Sequence, residues 1–332
     1  MRHVSENLLP RIPIIEVFPV VEDGTLPAKA TEEEPFPIRA TVFREGHDAF
    51  AAEAVLLTPG GGEHSRTRMV DVAPGLDRYE AWVAADAPGA WSFRVDSWSD
   101  PYATWHHDAT VKLGAGVDVE LMLEEGARLM ERAAAGDAEA NPTQERPPAS
   151  DIEVLHDAAR RLRDTTHSAQ QRLSAGISSR VRLIFRDHPL RDLIGSSRTY
   201  RLDVARAKAL AGAWYEIFPR SAGAFQRPDG SWVSGTLASA AEELPRIAEM
   251  GFDVVYLTPI HPIGSTHRKG KNNSLTAAPG DPGSPYAIGS PDGGHDAIHP
   301  DLGDFDDFDR FVARARSLGL EVALDLALQC SP

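Results

Sequence analysis

The last third of the 332-residue chain alternates between short apolar runs and longer amphipathic stretches, and this alternation limits the folds it can adopt. The apolar runs have the length and composition of buried strands and cover residues 213–218, 254–257 and 320–326. The amphipathic stretches have helical spacing, are followed by glycine, and cover residues 236–250 and 305–318. Because parallel strands must be joined by crossovers, this order predicts a parallel sheet flanked by helices.

The first part of the chain has a different period. Residues 13–112 contain segments in which apolar and polar side chains alternate, as in strands with one buried face. Clear examples are Ile38, Ala40 and Val42, followed later by Trp91, Phe93 and Val95. Turn-forming Pro-Gly and Asp-Gly pairs separate these segments. We therefore predict an antiparallel β-sandwich of the immunoglobulin or fibronectin type over residues 1–115.

A helical insert is predicted over residues 116–198. Residues 117–135 are rich in helix formers, and residues 137–150 have the proline content of a loop. The next apolar residues follow alternating steps of three and four: Ile152, Leu155, Ala159, Leu162, Thr166, Ala169 and Leu173. This heptad seam suits either a helix hairpin within the chain or a homodimer interface, and the sequence leaves both alternatives open.

Composition excludes several classes of function. The formal net charge is −15, from 34 basic and 49 acidic residues, which argues against a nucleic-acid partner. The sequence lacks the run of about 18 apolar residues that a membrane helix needs. It also lacks an N-terminal apolar stretch typical of a signal peptide, so we expect a cytoplasmic protein without a membrane partner. Cys330 is the single cysteine, which excludes an internal disulfide and a cysteine-based zinc site.

In a β/α barrel the active site lies at the carboxyl ends of the strands. The segments that follow the three predicted strands are 219–221, 258–300 and 325–332. The second is too long for an ordinary connection and holds the most basic stretch of this acidic chain, residues 267–273. Cations and amides there suit sugar hydroxyls or a phosphate, although a solvated surface loop is the simpler interpretation. The histidines of this loop have no spacing typical of metal ligands, so we expect no metal site.

Four segments of the chain resemble motifs of a known family. Residues 214–221 resemble the first barrel strand of the α-amylase superfamily, of the glycoside hydrolase family 13 type. Residues 258–260 resemble the end of its second strand, and residues 295–305 resemble the passage before its third. Residues 324–330 are similar to the first conserved region of that superfamily. The resemblance implies a (β/α)₈ barrel whose first three β/α units lie in residues 199–332.

Within that superfamily, three segments are similar to the maltosyltransferases that use α-maltose 1-phosphate. These segments are residues 11–14, 269–273 and 328–332. Ordinary α-amylases have Asn-His where this chain has Gln329-Cys330, which disfavours a plain hydrolase. The β-sandwich and helical insert ahead of the barrel also fit this family, so the resemblance extends over essentially the whole chain.

The resemblance implies transfer of a maltosyl unit from α-maltose 1-phosphate to the non-reducing end of an α-1,4-glucan, in glycogen-like biosynthesis. Retention of configuration would require an Asp nucleophile and a Glu acid/base. The Asp forms a covalent glycosyl-enzyme, and the Glu protonates the leaving group and then deprotonates the acceptor. Neither a metal nor an organic cofactor is implied. The partners would be the donor, the glucan acceptor and a second copy in a homodimer.

Carried over by position, five residues would bind substrate. Lys269, Asn273 and Gln329 would hydrogen-bond the maltosyl unit of the donor, and Tyr286 would stack on the reactive sugar. Asp325 matches an aspartate whose usual role is to support the catalytic residues. A simpler alternative for Asp325 is capping of the strand end, and the two roles are compatible.

One departure from the family pattern affects activity. The catalytic carboxylates of the family follow barrel strands four, five and seven, whereas three strands are predicted between Trp214 and Pro332. A complete barrel takes about 250 residues. We therefore expect the chain to be a fragment that lacks the nucleophile and the acid/base, and to be inactive alone. The alternatives are a non-catalytic module for glucan binding or dimerisation, and a related trehalose- or amylase-type enzyme.

Overall fold

The computed structural model describes residues 11–136, 146–328 and 330–331. The chain divides into two compact units, one that ends at Ala207 and one that begins at Lys208. Among the described residues, none of the helices is long and apolar enough to cross a membrane.

Two sheets make up the strand-rich part of the first unit. Their strands are β1 (Ile14–Phe18), β2 (Ala28–Thr31), β3 (Phe36–Val42), β4 (Phe50–Leu57), β5 (Glu63–Arg68), β6 (Val70–Ala73), β7 (Arg78–Val83), β8 (Gly89–Ser99), β9 (Asp192–Ser196) and β10 (Tyr200–Ala205). One sheet has the order β1-β3-β7-β6. The other has the order β2-β10-β8-β4-β5, with β9 also paired to β8. Side chains of both sheets, including Ile38, Leu56 and Phe93, form one buried core, as strand alternation requires.

The second sheet extends beyond the predicted sandwich. Between the described strands of residues 1–115 the pairings are antiparallel, whereas β2 pairs in parallel with β10, which lies outside that range. The predicted boundary at residue 198 is wrong. The segment 199–207 belongs to the first unit, because β10 pairs with β8 there. It is not part of the parallel sheet in the second unit.

A buried carboxylate on β8 holds side chains of the nearby strands β5 and β9. Asp96 on β8 is 4% exposed and accepts hydrogen bonds from Arg66 at 3.0 Å, Arg94 at 2.9 Å and Ser196 at 2.6 Å. Burial opposes ionisation of Asp96, but the hydrogen bonds from Arg94 and Ser196 prevail and lower its pKa. The carboxylate therefore remains charged at neutral pH and holds strands that are distant in sequence.

Five helices form the second core of this unit: α1 (Pro101–Ala115), α2 (Val119–Ala135), α3 (Ala149–Arg163), α4 (Ala169–Gly176) and α5 (Ser179–Asp187). The helical part therefore begins at residue 101, before the predicted boundary at 116. Asp100 starts α1 by accepting a hydrogen bond from the backbone N–H of Ala103, and Pro101 occupies the first turn. Most of the predicted loop over 137–150 lies outside the described residues.

The predicted heptad seam is divided between α3 and α4. Ser168 caps α4 in a capping box with Gln171, and exposed Thr166 lies in the turn between the helices. Four seam residues, Leu155, Ala159, Leu162 and Leu173, are buried in the helical core of this chain. These buried residues cannot meet a second copy, so the structure favours intrachain packing of the seam.

The second unit contains a parallel sheet with helices on one face. Its elements are β11 (Trp214–Ile217), β12 (Phe225–Gln226), β13 (Trp232–Val233), α6 (Leu237–Ala241), α7 (Leu244–Glu249), β14 (Val254–Leu257), α8 (Phe305–Ser317) and β15 (Glu321–Leu324). The sheet order is β11-β14-β15 and both pairings are parallel, as predicted. The predicted helix over 236–250 is divided in two, because Pro245 lacks the N–H that a continuous helix would use.

Among the described residues, helices pack on one face of this sheet. Ile217, Val255 and Leu257 point to the same face and join Leu244 of α7 and Phe311 of α8 in one apolar core. Successive residues of a strand point to opposite faces, so the residues between them lie on the uncovered face. That face carries the polar groups described in the next section.

We expect replacement of Gly126 by alanine to destabilise the helical core. Gly126 lies inside α2, and an added Cβ would approach Cζ2 of Trp105 to 2.2 Å. The Trp105 ring is fixed, because its Nε1 donates to the Met122 carbonyl at 2.6 Å. Gly126→Ala should therefore lower the free energy of unfolding by about 1–3 kcal/mol, measured by urea denaturation.

Gly114→Ala is the matched control, because Gly114 lies in α1 and an added Cβ meets nothing within 4 Å. This variant should gain up to about 1 kcal/mol from helix propensity. Equal stability of the two variants would contradict the described packing of α1 on α2.

Candidate functional site

Polar side chains gather where the three parallel strands end. Glu216 of β11, Tyr256 of β14 and Ala323 of β15 are direct partners in the register and lie on the uncovered face. Asp325 follows β15, and its backbone N–H donates to the Leu257 carbonyl at 3.0 Å, which places it beside the end of β14. The carboxyl ends of these strands therefore share one edge, where β/α proteins bind their ligands.

Two tyrosines approach Asp325 at this edge. Partial burial raises the pKa of Tyr286, and the negative charges of Asp325 and Glu216 raise it further. Partial desolvation and then interaction with the Asp325 carboxylate likewise raise the pKa of Tyr256. We call these four residues, Glu216, Tyr256, Tyr286 and Asp325, the tyrosine–carboxylate cluster. It combines hydrogen-bond acceptors with aromatic rings, which suits a ligand with hydroxyl groups and an apolar face.

The loop that carries Tyr286 is held by Arg268, which is half-buried. Arg268 donates to the backbone carbonyls of Gly264 at 3.0 Å, Ile263 at 2.9 Å and Asp281 at 3.3 Å. Asp281 in turn accepts from the backbone N–H of Ala278 at 2.7 Å. These bonds give the long loop a defined path, so Arg268 serves the fold of the loop and does not offer its charge to a ligand.

Lys269 and Asn273 lie on this same loop. Lys269 is half-buried, and its ammonium group has no hydrogen-bond or ion-pair partner within the described ranges. Asn273 is exposed and has a φ of 61°, a left-handed conformation that asparagine tolerates. Gly270 is required between them, because an added Cβ would lie 2.2 Å from the Thr276 carbonyl oxygen.

The structure brings together only part of the predicted site. Tyr286 and Asp325 are neighbours, as their electrostatic interaction requires. For Lys269 and Asn273, no contact with that pair is recorded among the residues described. Gln329 lies outside the described residues, so its predicted role stays a prediction.

Two histidines make hydrogen bonds that hold the long loop. One of them bonds within the loop, and the other bonds to the segment after β15. His295 Nε2 lies 2.6 Å from the Ala327 carbonyl, and His261 Nδ1 lies 2.9 Å from the Ala297 carbonyl. The two rings lie 5.3 Å apart. In the part of the chain that the structure describes, no group of three or more His, Cys, Asp or Glu residues could hold a metal ion. These histidines therefore act as hydrogen-bond partners of the backbone.

Arg220, which follows β11, is a second half-buried cation near this edge. Its Nη1 donates to Asp301 at 3.3 Å, whereas its buried Nη2 has no hydrogen-bond partner among the described atoms. Burial lowers the pKa of Arg220. Burial and the charge of Arg220 together lower the pKa of His299, which keeps that imidazole neutral.

A polar cavity of about 450 Å³ opens between the long loop and the segment after β15. It is lined by hydroxyl groups and glycine backbone, from Ser265, Thr266, Gly289, Ser290, Pro291, Gly293, Gly294 and Ser331. Its lining is uncharged, which suits hydroxyl groups of a neutral ligand more than an ion.

Glu216 and Tyr256 were missed from the sequence. Glu216 was taken as part of a compact apolar run, and Tyr256 as part of a buried strand. Both alternate with the buried residues Ile217 and Leu257, and this period of two is the signal that could have assigned them to the uncovered face. Arg220 carried no comparable signal, since its burial depends on loops that are distant in sequence.

Comparison with known proteins gives consistent matches. The family model described as "Alpha-1,4-glucan:maltose-1-phosphate maltosyltransferase, domain N/S" matches residues 10–206. A relative of the same name from Arcanobacterium haemolyticum is 52% identical over 324 residues, covering 97% of this chain and 46% of the relative. Alpha-1,4-glucan:maltose-1-phosphate maltosyltransferase 2 from Streptomyces coelicolor is 54% identical over 322 residues, with the same coverages of 97% and 46%. The chain thus spans about half the length of the curated relatives it matches.

Among solved structures, a noncanonic maltogenic alpha-amylase, AmyB from Thermotoga neapolitana, is 32% identical over the aligned part. The alignment covers 34% of this chain and 22% of that chain, with a TM-score of 0.25. This likeness is too low to support a conclusion about the fold.

We expect Asp325→Asn to lower the pKa values of Tyr256 and Tyr286 toward the ordinary value of 10.0, because the substitution removes a nearby negative charge. Because the chain has six tyrosines, the difference between ultraviolet titrations with and without Tyr256→Phe or Tyr286→Phe isolates the phenolate of each one. The control is Glu249→Gln, which removes an exposed charge at the end of α7 that precedes β14. Unchanged tyrosine titration in the Asp325 variant would disprove the tyrosine–carboxylate cluster.

Proposed function

Because the chain belongs to the family of alpha-1,4-glucan:maltose-1-phosphate maltosyltransferases, we propose that the protein transfers maltosyl units from α-maltose 1-phosphate to the non-reducing end of an α-1,4-glucan. The observation that carries this proposal is the meeting of Tyr286 and Asp325 at the carboxyl edge of parallel strands. A sugar-binding subsite combines an aromatic ring with a carboxylate. The ring stacks on the apolar face of the sugar, and the carboxylate accepts hydrogen bonds from its hydroxyl groups. The reaction belongs to the biosynthesis of a glycogen-like glucan.

In this proposal the finer architecture follows the family. The two sheets that share one core would be a β-sandwich, and β11, β14 and β15 with their helices would open a (β/α)₈ barrel. The parallel pairing of the three strands and their one-sided helical cover support the second assignment. The paired sheets with a common apolar core support the first.

The proposed reaction proceeds by double displacement with retention. An Asp attacks the anomeric carbon of the donor, the bond to the phosphate oxygen breaks, and a covalent maltosyl-enzyme forms. A Glu then removes the proton from the acceptor hydroxyl as that oxygen displaces the Asp. We place both carboxylates beyond Pro332. No metal or organic cofactor takes part.

The residues of this chain would bind and orient the donor. Lys269, Asn273 and Gln329 would donate hydrogen bonds to the maltosyl hydroxyls, and the Tyr286 ring would stack on the reactive sugar. Lys269 has no partner for its ammonium group among the described residues, and Tyr286 is 37% exposed, which supports these roles because both groups are available to a ligand. Asp325 would hold the two tyrosines in place.

A cytoplasmic location and a homodimer are also part of the proposal. Burial of Leu155, Ala159, Leu162 and Leu173 within the chain argues against the heptad seam as the dimer interface. A dimer would therefore use another surface of the protein.

We expect the full-length protein to release more than one phosphate per enzyme from α-maltose 1-phosphate only when a maltooligosaccharide is present, because the acceptor must resolve the covalent intermediate before the next donor can react. A coupled phosphate assay with and without acceptor measures this dependence. The 332-residue chain by itself should release none. Glucan binding without phosphate release by the full-length protein would favour a binding module, and interconversion of maltose with trehalose would favour the trehalose-type alternative.

In the full-length protein we expect Lys269→Met to reduce kcat/KM for the donor by about tenfold or more, and Asn273→Gly to reduce it by roughly threefold to tenfold. Each change removes a hydrogen bond to the ligand, worth roughly 1.5–3 kcal/mol when a charged group takes part and less for a neutral amide. Glycine preserves the left-handed backbone at residue 273. Steady-state kinetics with α-maltose 1-phosphate measure the effect.

Two residues of the same loop provide matched controls. Lys271 is an exposed lysine, and Asn272 is an exposed asparagine with a φ of 52°. Lys271→Met and Asn272→Gly should change kcat/KM by less than about twofold, as for a solvated surface position. Equal losses in all four variants would indicate a general disturbance of the loop and would contradict specific donor binding.

A further inference from the structure

A small hairpin lies at the same edge of the sheet as the tyrosine–carboxylate cluster. Strands β12 and β13 form it within the connection from β11 to α6, so it follows the carboxyl end of β11. The family resemblance assigned no residue of this hairpin to substrate. Its two strands pair Phe225 with Val233 and Gln226 with Trp232.

The base of the hairpin is fixed to the end of β11. The backbone N–H of Gly235 donates to the Arg220 carbonyl at 2.8 Å. An added Cβ at Gly235 would lie 2.2 Å from the Ala222 carbonyl oxygen and 2.5 Å from that of Pro219, so only glycine fits. The hairpin is therefore held at a constant position relative to the strand end.

The turn of the hairpin is also well defined. Arg227 donates its backbone N–H to the Ser231 carbonyl at 2.8 Å, and Asp229 accepts from the backbone N–H of Ser231 at 2.9 Å. The amide nitrogen of Gln226 donates to the Gly230 carbonyl at 2.9 Å. These bonds fix the Gln226 side chain and leave its oxygen without a donor in the described residues.

One face of the hairpin thus presents an indole beside an amide. Trp232 is 63% exposed, and its register partner Gln226 lies next to it on the same face. The surrounding residues, Arg227, Asp229 and Ser231, are polar and exposed. A single tryptophan contributes about 150–250 Å², whereas a stable protein interface buries about 800 Å² on each partner. The patch is therefore too small for a protein partner.

A pyranose ring matches this patch in size and chemistry. Its apolar C–H face stacks on an indole, and its hydroxyl groups donate to a free amide oxygen. A neutral glucan also avoids the repulsion that a chain of net charge −15 exerts on anionic ligands.

We propose that Trp232 and Gln226 form a binding platform for a glucosyl residue of the α-1,4-glucan acceptor, at a distance from the bond-forming subsites. This inference rests on the proposed function for its choice of ligand. The platform would raise the affinity for long acceptors and would leave short ones unaffected, because only a long chain reaches both the platform and the reacting end.

The test compares Trp232→Ala with Phe225→Ala in the full-length protein. Phe225 is the matched control, since it is 56% exposed and lies on the opposite face of the same hairpin. Gel electrophoresis with embedded glycogen should show affinity for glycogen reduced roughly five- to tenfold in the Trp232 variant alone, the loss typical of one aromatic contact. Trp232→Tyr should restore most of the retardation.

Kinetics give a second readout. Trp232→Ala should raise KM for a long maltooligosaccharide by a similar roughly fivefold factor. The KM for the donor and the kcat with maltotetraose should remain unchanged. Wild-type retardation of Trp232→Ala, or equal losses in the Trp232 and Phe225 variants, would overturn the platform. Gel retardation requires no turnover, so it tests the platform independently of the reaction. A protein that binds glycogen through Trp232 but transfers no maltosyl unit would overturn the proposed function and would still support the platform.

Discussion

The second unit depends on the burial of only one face of its parallel sheet. Apolar side chains of β11, β14 and β15 take the face covered by α6, α7 and α8, and strand alternation then places Glu216 and Tyr256 on the other face. The helical cover thus determines which side chains lie on the face that the helices leave open. The loops complete the arrangement, because Arg268 holds the segment that brings Tyr286 to Asp325.

The parallel sheet could be predicted from the sequence because its strands are short apolar runs between amphipathic helices. Strands β14 and β15 and helix α8 lie where this pattern placed them. Local signals that compete with the pattern explain the errors. Pro245 divides a helix that the apolar spacing alone predicts as continuous. The start of α1 at Pro101 was missed, since its aromatic residues continue the composition of the preceding strands.

The site was less predictable than the fold. A motif identified Tyr286 and Asp325, but their proximity depends on a loop whose path is set by contacts of Arg268, His261 and His295. Such contacts join residues far apart in sequence and leave no periodic signal. The parallel pairing of β10 with β2 escaped prediction for the same reason, because both strands also suit an antiparallel neighbour.

That pairing has a consequence for synthesis on the ribosome. Lys29 of β2 and Asp203 of β10 form an ion pair and are 174 residues apart. At about 5–20 residues per second, β2 waits roughly ten to thirty-five seconds for its neighbour to emerge. The helices α1 to α5 are translated in this interval and make mostly local contacts, which form quickly. Until β10 is synthesised, β2 and β8 therefore present unpaired backbone edges in the nascent chain, the kind of edge at which sheets aggregate.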